Sequence, residues 1–292
     1  MKDFEYAAPT SLQEAVAILT ERPESVKMLA GGTDIIVQLR EGLREAHLVL
    51  DVKRIPDLLA LGWSSDGGLS IGAAVPCVRL YRDEKINIAY SALTDAARII
   101  GGWQIQSRAS VGGNLCNASP AADSIPALIA CGAKCHIVGP SGDRVLPVEE
   151  FCVGPGRNAL AEGELLVRLD LPAPPARSAS RYLRFIPRNE MDIAVVGAGV
   201  SVGLDGGGKT IEHARIALAA VGPTPVVAQE AAAWLVGKPA TRESFKEAGN
   251  LARKAATPMS DKRGPASYRT HLVGVLTERA LTVAAERATN GT

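Results

Sequence analysis

The pattern of apolar and polar positions changes period along the first fifty residues. Ser11 and Glu14 stand three residues apart ahead of an apolar run at helical spacing, which is the form of a capping box and predicts a short helix. The pattern then predicts a strand, a helix stopped by Gly42 and a second strand, over residues 25–30, 34–41 and 48–52. This order is that of a compact βαβ unit.

The alternation of predicted strands and helices continues to residue 171 and then stops. It predicts strands and helices over residues 69–75, 91–100, 125–130, 134–138 and 164–171. The run Pro172-Ala173-Pro174-Pro175-Ala176 can continue neither a strand nor a helix, so we place the main domain boundary there. Beyond it the chain predicts three antiparallel strands and two helices, over residues 181–185, 194–204, 211–220, 244–255 and 265–288.

These elements predict an α+β protein with two domains. The first spans residues 1–175 and divides into subdomains of about 1–55 and 56–175, and the second spans 176–292. A chain of 292 residues, of which 47% are hydrophobic, is long and apolar enough to form several cores.

Charge and apolar content argue against several classes of protein. Lys and Arg total 32 against 31 Asp and Glu, so the net charge of +1 indicates no nucleic-acid surface. Any bound anion must be stabilised by groups close to its own site. The amino terminus has no apolar run behind a basic stretch, and the most apolar segment, 193–204, is too short and glycine-rich to span a bilayer. We therefore expect a cytoplasmic protein without an integral membrane segment.

The five cysteines suggest neither a disulfide framework nor a metal site. Their number is odd in a large chain without a secretion signal, so we expect reduced thiols. Cys131 and Cys135 have the spacing of paired metal ligands, but no second pair accompanies them and only His136 lies beside them. We favour a role as small buried residues and predict no metal ligand.

Two short glycine-containing segments are suited to bind a phosphate. In Ala30-Gly31-Gly32-Thr33-Asp34 the glycines lie where a predicted strand turns into a helix, so consecutive N–H groups can face an anion near the positive end of the helix dipole, and Thr33 and Asp34 can cap the helix. Such a turn alone more often serves tight packing. Ser110-Val111-Gly112-Gly113-Asn114 repeats the arrangement, and two such loops could clasp one pyrophosphate from both sides.

Further polar side chains follow the second segment. Asn117, Ser119 and Asp123 come within one turn or loop of it. Asp123 has two interpretations, as a helix N-cap or as a carboxylate that accepts hydrogen bonds from a ribose hydroxyl. The local sequence favours the cap.

One further segment resembles a nucleotide-binding motif but lacks its spacing, and the sequence has no recognisable catalytic motif. Residues 195–203 resemble a dinucleotide fingerprint, but the spacing is G-x-G-x-x-x-G and the run ends in Asp205-Gly206-Gly207-Gly208, where such a fold needs a helix. We interpret this run as a buried strand with glycines for close packing. The sequence has no G-x-S-x-G or His-Glu-x-x-His pattern and its four histidines are scattered, so no catalytic residue is predicted.

Four motifs resemble one family of flavoproteins. Residues 27–34 (KMLAGGTD) and 109–123 (ASVGGNLCNASPAAD) are similar to the flavin subunit of molybdenum hydroxylases, as are 184–194 (RFIPRNEMDIA) and 264–269 (GPASYR). This family includes the medium subunit of aerobic carbon monoxide dehydrogenase and the FAD domain of xanthine dehydrogenase. The resemblance implies a vanillyl-alcohol-oxidase or PCMH-type fold, in which two α/β subdomains hold FAD without a covalent link and a third part has three antiparallel strands and helices.

The resemblance also implies which residues contact the cofactor. Asn117 falls at a flavin-contacting hydroxyl position and Asp123 at the adenosine ribose, which outweighs the cap interpretation. Ile100 stands where xanthine dehydrogenase has an aromatic residue against the isoalloxazine, and Arg184 where it has a lysine near the ring. The full predicted set is Lys27, Met28, Leu29, Ala30, Gly31, Gly32, Thr33, Asp34, Ile35, Ile100, Gly101, Ser110, Val111, Gly112, Gly113, Asn114, Asn117, Asp123, Leu166 and Arg184.

The resemblance implies that the chain transfers electrons and does not itself oxidise the substrate. We expect it to take electrons from an iron–sulfur subunit with 2Fe-2S clusters, through FAD, to an external acceptor, while a molybdopterin subunit with the molybdenum cofactor oxidises the substrate. The family often assembles as a dimer of such heterotrimers. The hydroxybenzoyl-CoA reductase branch of the family has a cysteine-rich insertion for an extra iron–sulfur cluster after this segment. Here Cys116 is followed directly by Asn117 without that insertion, so the extra cluster is not expected. The alternatives are a self-sufficient flavin oxidase of the vanillyl-alcohol-oxidase type and a non-enzymatic nucleotide-binding module.

Overall fold

The computed structural model describes residues 2–22, 25–189 and 191–291 of the chain. It shows a mixed α/β fold whose principal sheets have three, five and four strands. Glu190, within the motif at 184–194, lies outside the described residues. In the described ranges, no helix combines the length and the apolar composition that crossing a membrane requires.

The elements are numbered along the chain. The strands are β1 (Glu5–Ala7), β2 (Val26–Leu29), β3 (Leu48–Asp51), β4 (Leu61–Trp63), β5 (Leu69–Gly72), β6 (Lys134–Gly139), β7 (Gly142–Pro147), β8 (Cys152–Gly154), β9 (Arg157–Asn158), β10 (Leu165–Leu171), β11 (Ser178–Phe185), β12 (Val196–Leu204), β13 (Ile211–Ala219) and β14 (Val226–Val227). The helices are α1 (Leu12–Glu21), α2 (Ile35–Arg40), α3 (Pro56–Leu59), α4 (Cys77–Tyr81), α5 (Glu84–Ala89), α6 (Ser91–Ala97), α7 (Trp103–Gln106), α8 (Val111–Cys116), α9 (Ser124–Ala130), α10 (Val148–Phe151), α11 (Gln229–Leu235), α12 (Arg242–Ala255) and α13 (Ala266–Asn290).

The amino-terminal part is a parallel sheet in the order β1-β3-β2. It contains the predicted βαβ unit of β2, α2 and β3, with α2 one residue shorter at each end than expected. Ser11 caps α1 by accepting a hydrogen bond from the Glu14 N–H at 3.2 Å, and the Glu14 carboxylate accepts one from the Thr10 N–H at 2.7 Å. The predicted helix start is therefore confirmed.

The middle part is built on an antiparallel sheet in the order β4-β5-β10-β6-β7. Helices α4 to α9 come between β5 and β6 in the chain, and their apolar side chains share a core with the sheet. Ile71 of β5, Leu93 of α6, Ile125 of α9 and Ile137 of β6 are all fully buried in this core. A second core contains Leu50 of β3 and Leu165 of β10 together, and it fixes the first sheet against the second.

One predicted loop is a helix. Residues Val111–Cys116 form α8, and the Ser110 hydroxyl caps it by accepting a hydrogen bond from the Gly113 N–H at 3.0 Å. Glycine disfavours a helix by about 1 kcal/mol relative to alanine, but the cap and the complete burial of Val111 and Leu115 oppose this cost. The second glycine pair therefore lies in the first turn of a short helix.

The carboxy-terminal sheet has the order β11-β12-β13-β14, so it has a fourth strand where the sequence predicted three. β14 is only two residues long and pairs with Ala217 and Leu218, which explains why no periodicity marks it. The glycine-rich run is the buried strand β12, as interpreted from its spacing. A Cβ at Gly199 would lie 2.5 Å from the Pro126 carbonyl oxygen, so this glycine permits close packing on α9.

Polar contacts join the carboxy-terminal sheet to α6. Asp95 of α6 accepts hydrogen bonds from Arg181 of β11 at 2.7 Å and from Arg287 of α13 at 2.9 Å. Ser180 of β11 accepts one from the Ser91 hydroxyl at its backbone carbonyl, at 2.6 Å. The proline-rich stretch at 172–176 therefore connects two parts that are packed directly on each other.

Candidate functional site

A cleft of about 680 Å³ lies between the first and second sheets. Its size falls in the range of sites for small molecules and cofactors. The cleft brings together most of the residues predicted from the sequence, which come from both glycine-containing segments and from outside them. Those that line it are Lys27, Met28, Ala30, Gly31, Gly32, Thr33, Asp34, Ile35, Ile100, Ser110, Gly112, Gly113, Asn114, Asn117 and Leu166.

The glycines of the first segment are required by the fold as well as suited to a ligand. A Cβ at Gly31 would lie 2.0 Å from the Arg108 carbonyl oxygen, so only glycine lets this segment approach the residues before Ser110. Gly32 has a φ of +76°, in the left-handed region. Asp34 precedes α2 but its side chain does not cap it, contrary to the expectation from the sequence.

The two glycines of the second segment have different surroundings. A Cβ at Gly112 would lie 2.4 Å from the Ala73 carbonyl oxygen, so this glycine serves packing against the end of β5. A Cβ at Gly113 would meet only the Ser110 Oγ, at 3.0 Å, and would otherwise enter open space at the cleft wall. Gly113 therefore keeps room in the cleft that a side chain would fill.

Aliphatic side chains line part of the cleft. Ile100 lies there, together with Ile105, Leu160 and Leu166. Gly101, with a φ of +58°, turns the chain between the two isoleucines, and a Cβ on it would lie 2.8 Å from the Ile105 Cβ. Among the described residues that line the cleft none is aromatic, so a planar ring bound here would rest on branched aliphatic groups.

Both signs of charge occur along the cleft. Lys27 and Arg44 are its cationic residues, and Asp34, Glu162 and Glu164 are its acidic ones. Glu164 is paired with Arg144 through two hydrogen bonds of 2.7 Å, and these hydrogen bonds lower the pKa of the Glu164 carboxyl. This carboxylate is thereby neutralised by a protein cation and does not oppose an anionic ligand.

Five predicted residues do not line the cleft: Leu29, Gly101, Val111, Asp123 and Arg184. Val111 belongs to the core behind α8, and Gly101 shapes the turn that places Ile105. Asp123 and Arg184 form a buried ion pair of 2.6 Å, with side chains only 11% and 8% exposed.

The Asp123 side chain does not cap α9, and its carboxylate binds two protein donors. One of its carboxylate oxygens accepts a hydrogen bond from the Tyr182 hydroxyl at 2.8 Å and the other from Arg184, and neither caps α9. Burial raises the pKa of Asp123, while the charge of Arg184 acts in the opposite direction. The ion pair joins α9 of the middle part to β11 of the carboxy-terminal part, so it lies at the contact between these two parts of the fold.

Several lining residues carry no signal in the sequence. Gln38 and Arg44 come from α2 and the turn after it, and Asn158 is the last residue of β9 in the short hairpin of β8 and β9. Asn158 Nδ2 donates a hydrogen bond to the Cys116 carbonyl oxygen at 2.8 Å, which fixes the end of α8. Isolated polar residues of this kind follow no pattern, so only the folded chain reveals that they meet.

All five cysteines are free thiols, as expected from the sequence. Cys116 lines the cleft at the end of α8. Burial raises its pKa to about 12 and that of Cys152 to about 11, so neither thiol is ionised near neutral pH. These side chains act as small apolar groups.

Comparison with protein families matches two consecutive segments of the chain. Residues 2–174 match the family described as FAD binding domain in molybdopterin dehydrogenase, a range that contains both glycine-containing segments and all the described residues that line the cleft. The chain belongs to this family. Residues 181–284 match the CO dehydrogenase flavoprotein C-terminal domain, so the carboxy-terminal sheet and helices are those of the same class of flavoprotein.

Relatives in this family align with the chain from end to end. The chain is 30% identical over 290 residues to the xanthine dehydrogenase FAD-binding subunit of Escherichia coli O157:H7, covering 99% of this chain and 98% of the relative. It is 32% identical over 289 residues to caffeine dehydrogenase subunit beta of a Pseudomonas species, strain CBB1, covering 97% and 95%.

A solved structure of the family has the same fold. The match is to carbon monoxide dehydrogenase from Hydrogenophaga pseudoflava, in a form lacking the Mo-pyranopterin moiety of its molybdenum cofactor. The TM-score is 0.93 at 32% sequence identity, with 98% of each chain covered. The mixed α/β fold is therefore that of the flavin subunits of this family.

The cleft fits the cofactor that the family name implies. A dinucleotide needs room for its diphosphate between close backbones, and Gly113 provides space that a Cβ would fill. It also needs donors for its oxygens, and Asn117 Nδ2 has no hydrogen-bond partner in the part of the chain that the structure describes. The aliphatic lining around Ile100 and Ile105 supplies an apolar surface for a ring.

Proposed function

We propose that this chain is the FAD-binding electron-transfer subunit of a molybdenum hydroxylase complex. The observation that carries the proposal is the cleft in which both glycine-containing segments meet, in a chain of the FAD-binding family of molybdopterin dehydrogenases. Electrons would come from an iron–sulfur subunit, and the chain would deliver them to an external acceptor.

Each part of the cleft would contact a different part of FAD. The segments at 30–34 and 110–114 would hold the diphosphate between them, because their glycines let two backbones approach from opposite sides. Ile100 and Ile105 would cover the ring and exclude water from it, and Asn117 would donate a hydrogen bond to the flavin moiety. FAD, when bound without a covalent link, supplies reversible redox chemistry that no side chain of the protein can perform.

The fold details inferred by resemblance form part of the proposal. We infer a PCMH-type domain over residues 1–175, with subdomains of about 1–55 and 56–175, and a flavoprotein domain over 176–292. The three principal sheets support this division, because one sheet falls in each part. The cleft lies between the first two parts, where two subdomains would enclose the cofactor.

The partners follow from the same family. We infer an iron–sulfur subunit with 2Fe-2S clusters, a molybdopterin subunit, a dimer of such heterotrimers and a location in the cytoplasm. Relatives of similar identity bear the names xanthine dehydrogenase, caffeine dehydrogenase and carbon monoxide dehydrogenase. Their different substrates support a division of labour in which the flavin subunit does not select the substrate.

The division of labour is tested by anaerobic mixing of the purified chain with substrates. We expect no flavin bleaching when the chain alone meets aldehydes, purines or N-heterocycles, because the described residues that line the cleft include no histidine or tyrosine, and Asp34 and Glu164 already bind protein groups. Bleaching should appear once iron–sulfur and molybdenum-cofactor subunits are added. Rapid substrate-dependent bleaching by the single chain would contradict the subunit assignment and favour a self-sufficient oxidase.

A further inference from the structure

A polar contact crosses the cleft between α2 and α8. Gln38 Nε2 donates a hydrogen bond of 3.4 Å to Asn117 Oδ1, and both residues line the cleft. In the described ranges, this is the one side-chain hydrogen bond that joins residues 2–54 to the rest of the chain. The two subdomains otherwise meet through apolar packing, so this contact is the polar link across the proposed FAD site.

A second hydrogen bond fixes the orientation of the Gln38 amide. The same Nε2 group donates to the Asp34 carboxylate, one helical turn earlier on α2. A carboxylate only accepts hydrogen bonds, so the NH₂ end of the Gln38 amide, and not its oxygen, must face Asp34. Its two N–H bonds are then directed to Asp34 and to Asn117.

The orientation of Gln38 determines the orientation of Asn117. Because Gln38 presents a donor, the Asn117 amide must present its oxygen to Gln38. The Nδ2 group of Asn117, which carries two N–H donors, has no partner among the described residues. Asn117 therefore offers the cleft a donor, which suits an acceptor atom such as a hydroxyl or carbonyl oxygen of the ligand.

We propose that Gln38 is a positioning residue for FAD, which acts through Asn117 by holding the amide of Asn117 with its donor group toward the cofactor. The proposal rests on the proposed FAD site. Without the Gln38 amide, Asn117 would rotate among its conformers, and the link between α2 and α8 would be lost. Both effects would speed the release of FAD.

The test is the rate of FAD release from the full-length chain after dilution, measured for a set of variants. Gln38→Leu keeps a side chain that extends to Cδ and removes the amide nitrogen and oxygen, and we expect FAD to leave about fivefold to tenfold faster, the range for one net hydrogen bond. Gln104→Leu is the matched control, because Gln104 is an exposed glutamine of α7 that does not line the cleft. It should release FAD at the wild-type rate.

The double variant decides whether Gln38 acts through Asn117. If it does, Gln38→Leu/Asn117→Ala should release FAD no faster than Asn117→Ala alone. A general effect on stability would instead lower the melting temperature of the cofactor-free Gln38→Leu protein. We expect that melting temperature to stay near the melting temperature of the Gln104→Leu control. A wild-type release rate in Gln38→Leu, or multiplied effects in the double variant, would overturn the proposal. Failure of the wild-type chain to bind FAD would instead contradict the proposed function itself.

Discussion

Replacing Gly113 by leucine is expected to weaken FAD binding on the order of 100-fold or more while leaving the chain folded. A 100-fold loss corresponds to about 2.7 kcal/mol, which is modest for a branched side chain placed where the diphosphate would lie. Gly113 lines the cleft, and a Cβ there meets only the Ser110 Oγ. Leucine also favours a helix over glycine, which opposes the cost of the small shift that its Cβ, 3.0 Å from the capping Ser110 Oγ, requires of that side chain.

The choice of Gly113 separates ligand binding from folding. Side chains at Gly31 or Gly112 would collide with the backbones of Arg108 and Ala73, and one at Gly32 would adopt a strained φ. Gly62→Leu is the control, because Gly62 is exposed on β4 with open space around its Cβ position. FAD content and melting temperature measured for both variants give the result. A Gly113→Leu protein that binds FAD as tightly as the control would contradict the assignment of the cleft.

Replacing Asp123 by alanine is expected to lower the free energy of unfolding by about 3–5 kcal/mol, the range for breaking a buried ion pair. The change leaves the Arg184 guanidinium, with a side chain only 8% exposed, without its carboxylate partner. It also removes the acceptor of the Tyr182 hydroxyl. Urea unfolding of the wild type and the variant measures the effect.

Two further measurements separate a structural role of Asp123 from a contact with the ribose. The double variant Asp123→Leu/Arg184→Met removes both charges, and most of the lost stability should return. The affinity ratio of FAD to FMN should be unchanged in Asp123→Ala, because Asp123 is buried and does not line the cleft. A selective loss of FAD affinity would instead support the ribose contact that the resemblance implies.

Local patterns were sufficient to predict several elements of the fold. The βαβ unit beside the cleft, the capped start of α1 and the buried strand β12 of the carboxy-terminal sheet each follow from short-range periodicity and cap residues. The two glycine-containing segments were recognisable because each combines a glycine pair with small polar side chains that can bind a phosphate. Family resemblance then connected the two segments, which no local pattern can do.

The remaining features depend on tertiary contacts. α8 was missed because two glycines argue against a helix, and only the Ser110 cap and the core behind Val111 reverse that preference. The partners of Asp123 lie about sixty residues away in the chain, so a local interpretation could offer only a cap or a ligand. Gln38 carries no motif, and its role appears only when α2 and α8 meet.

The most direct test of the FAD assignment is the absorption spectrum of the purified chain, followed by acid release of the chromophore. We expect the visible bands of a flavin, one FAD per chain, and complete release into the supernatant, since the cofactor would be held without a covalent bond. The released compound should be FAD and not FMN, because the cleft has two glycine-containing segments suited to a diphosphate. A colourless chain that does not take up added FAD would contradict the account.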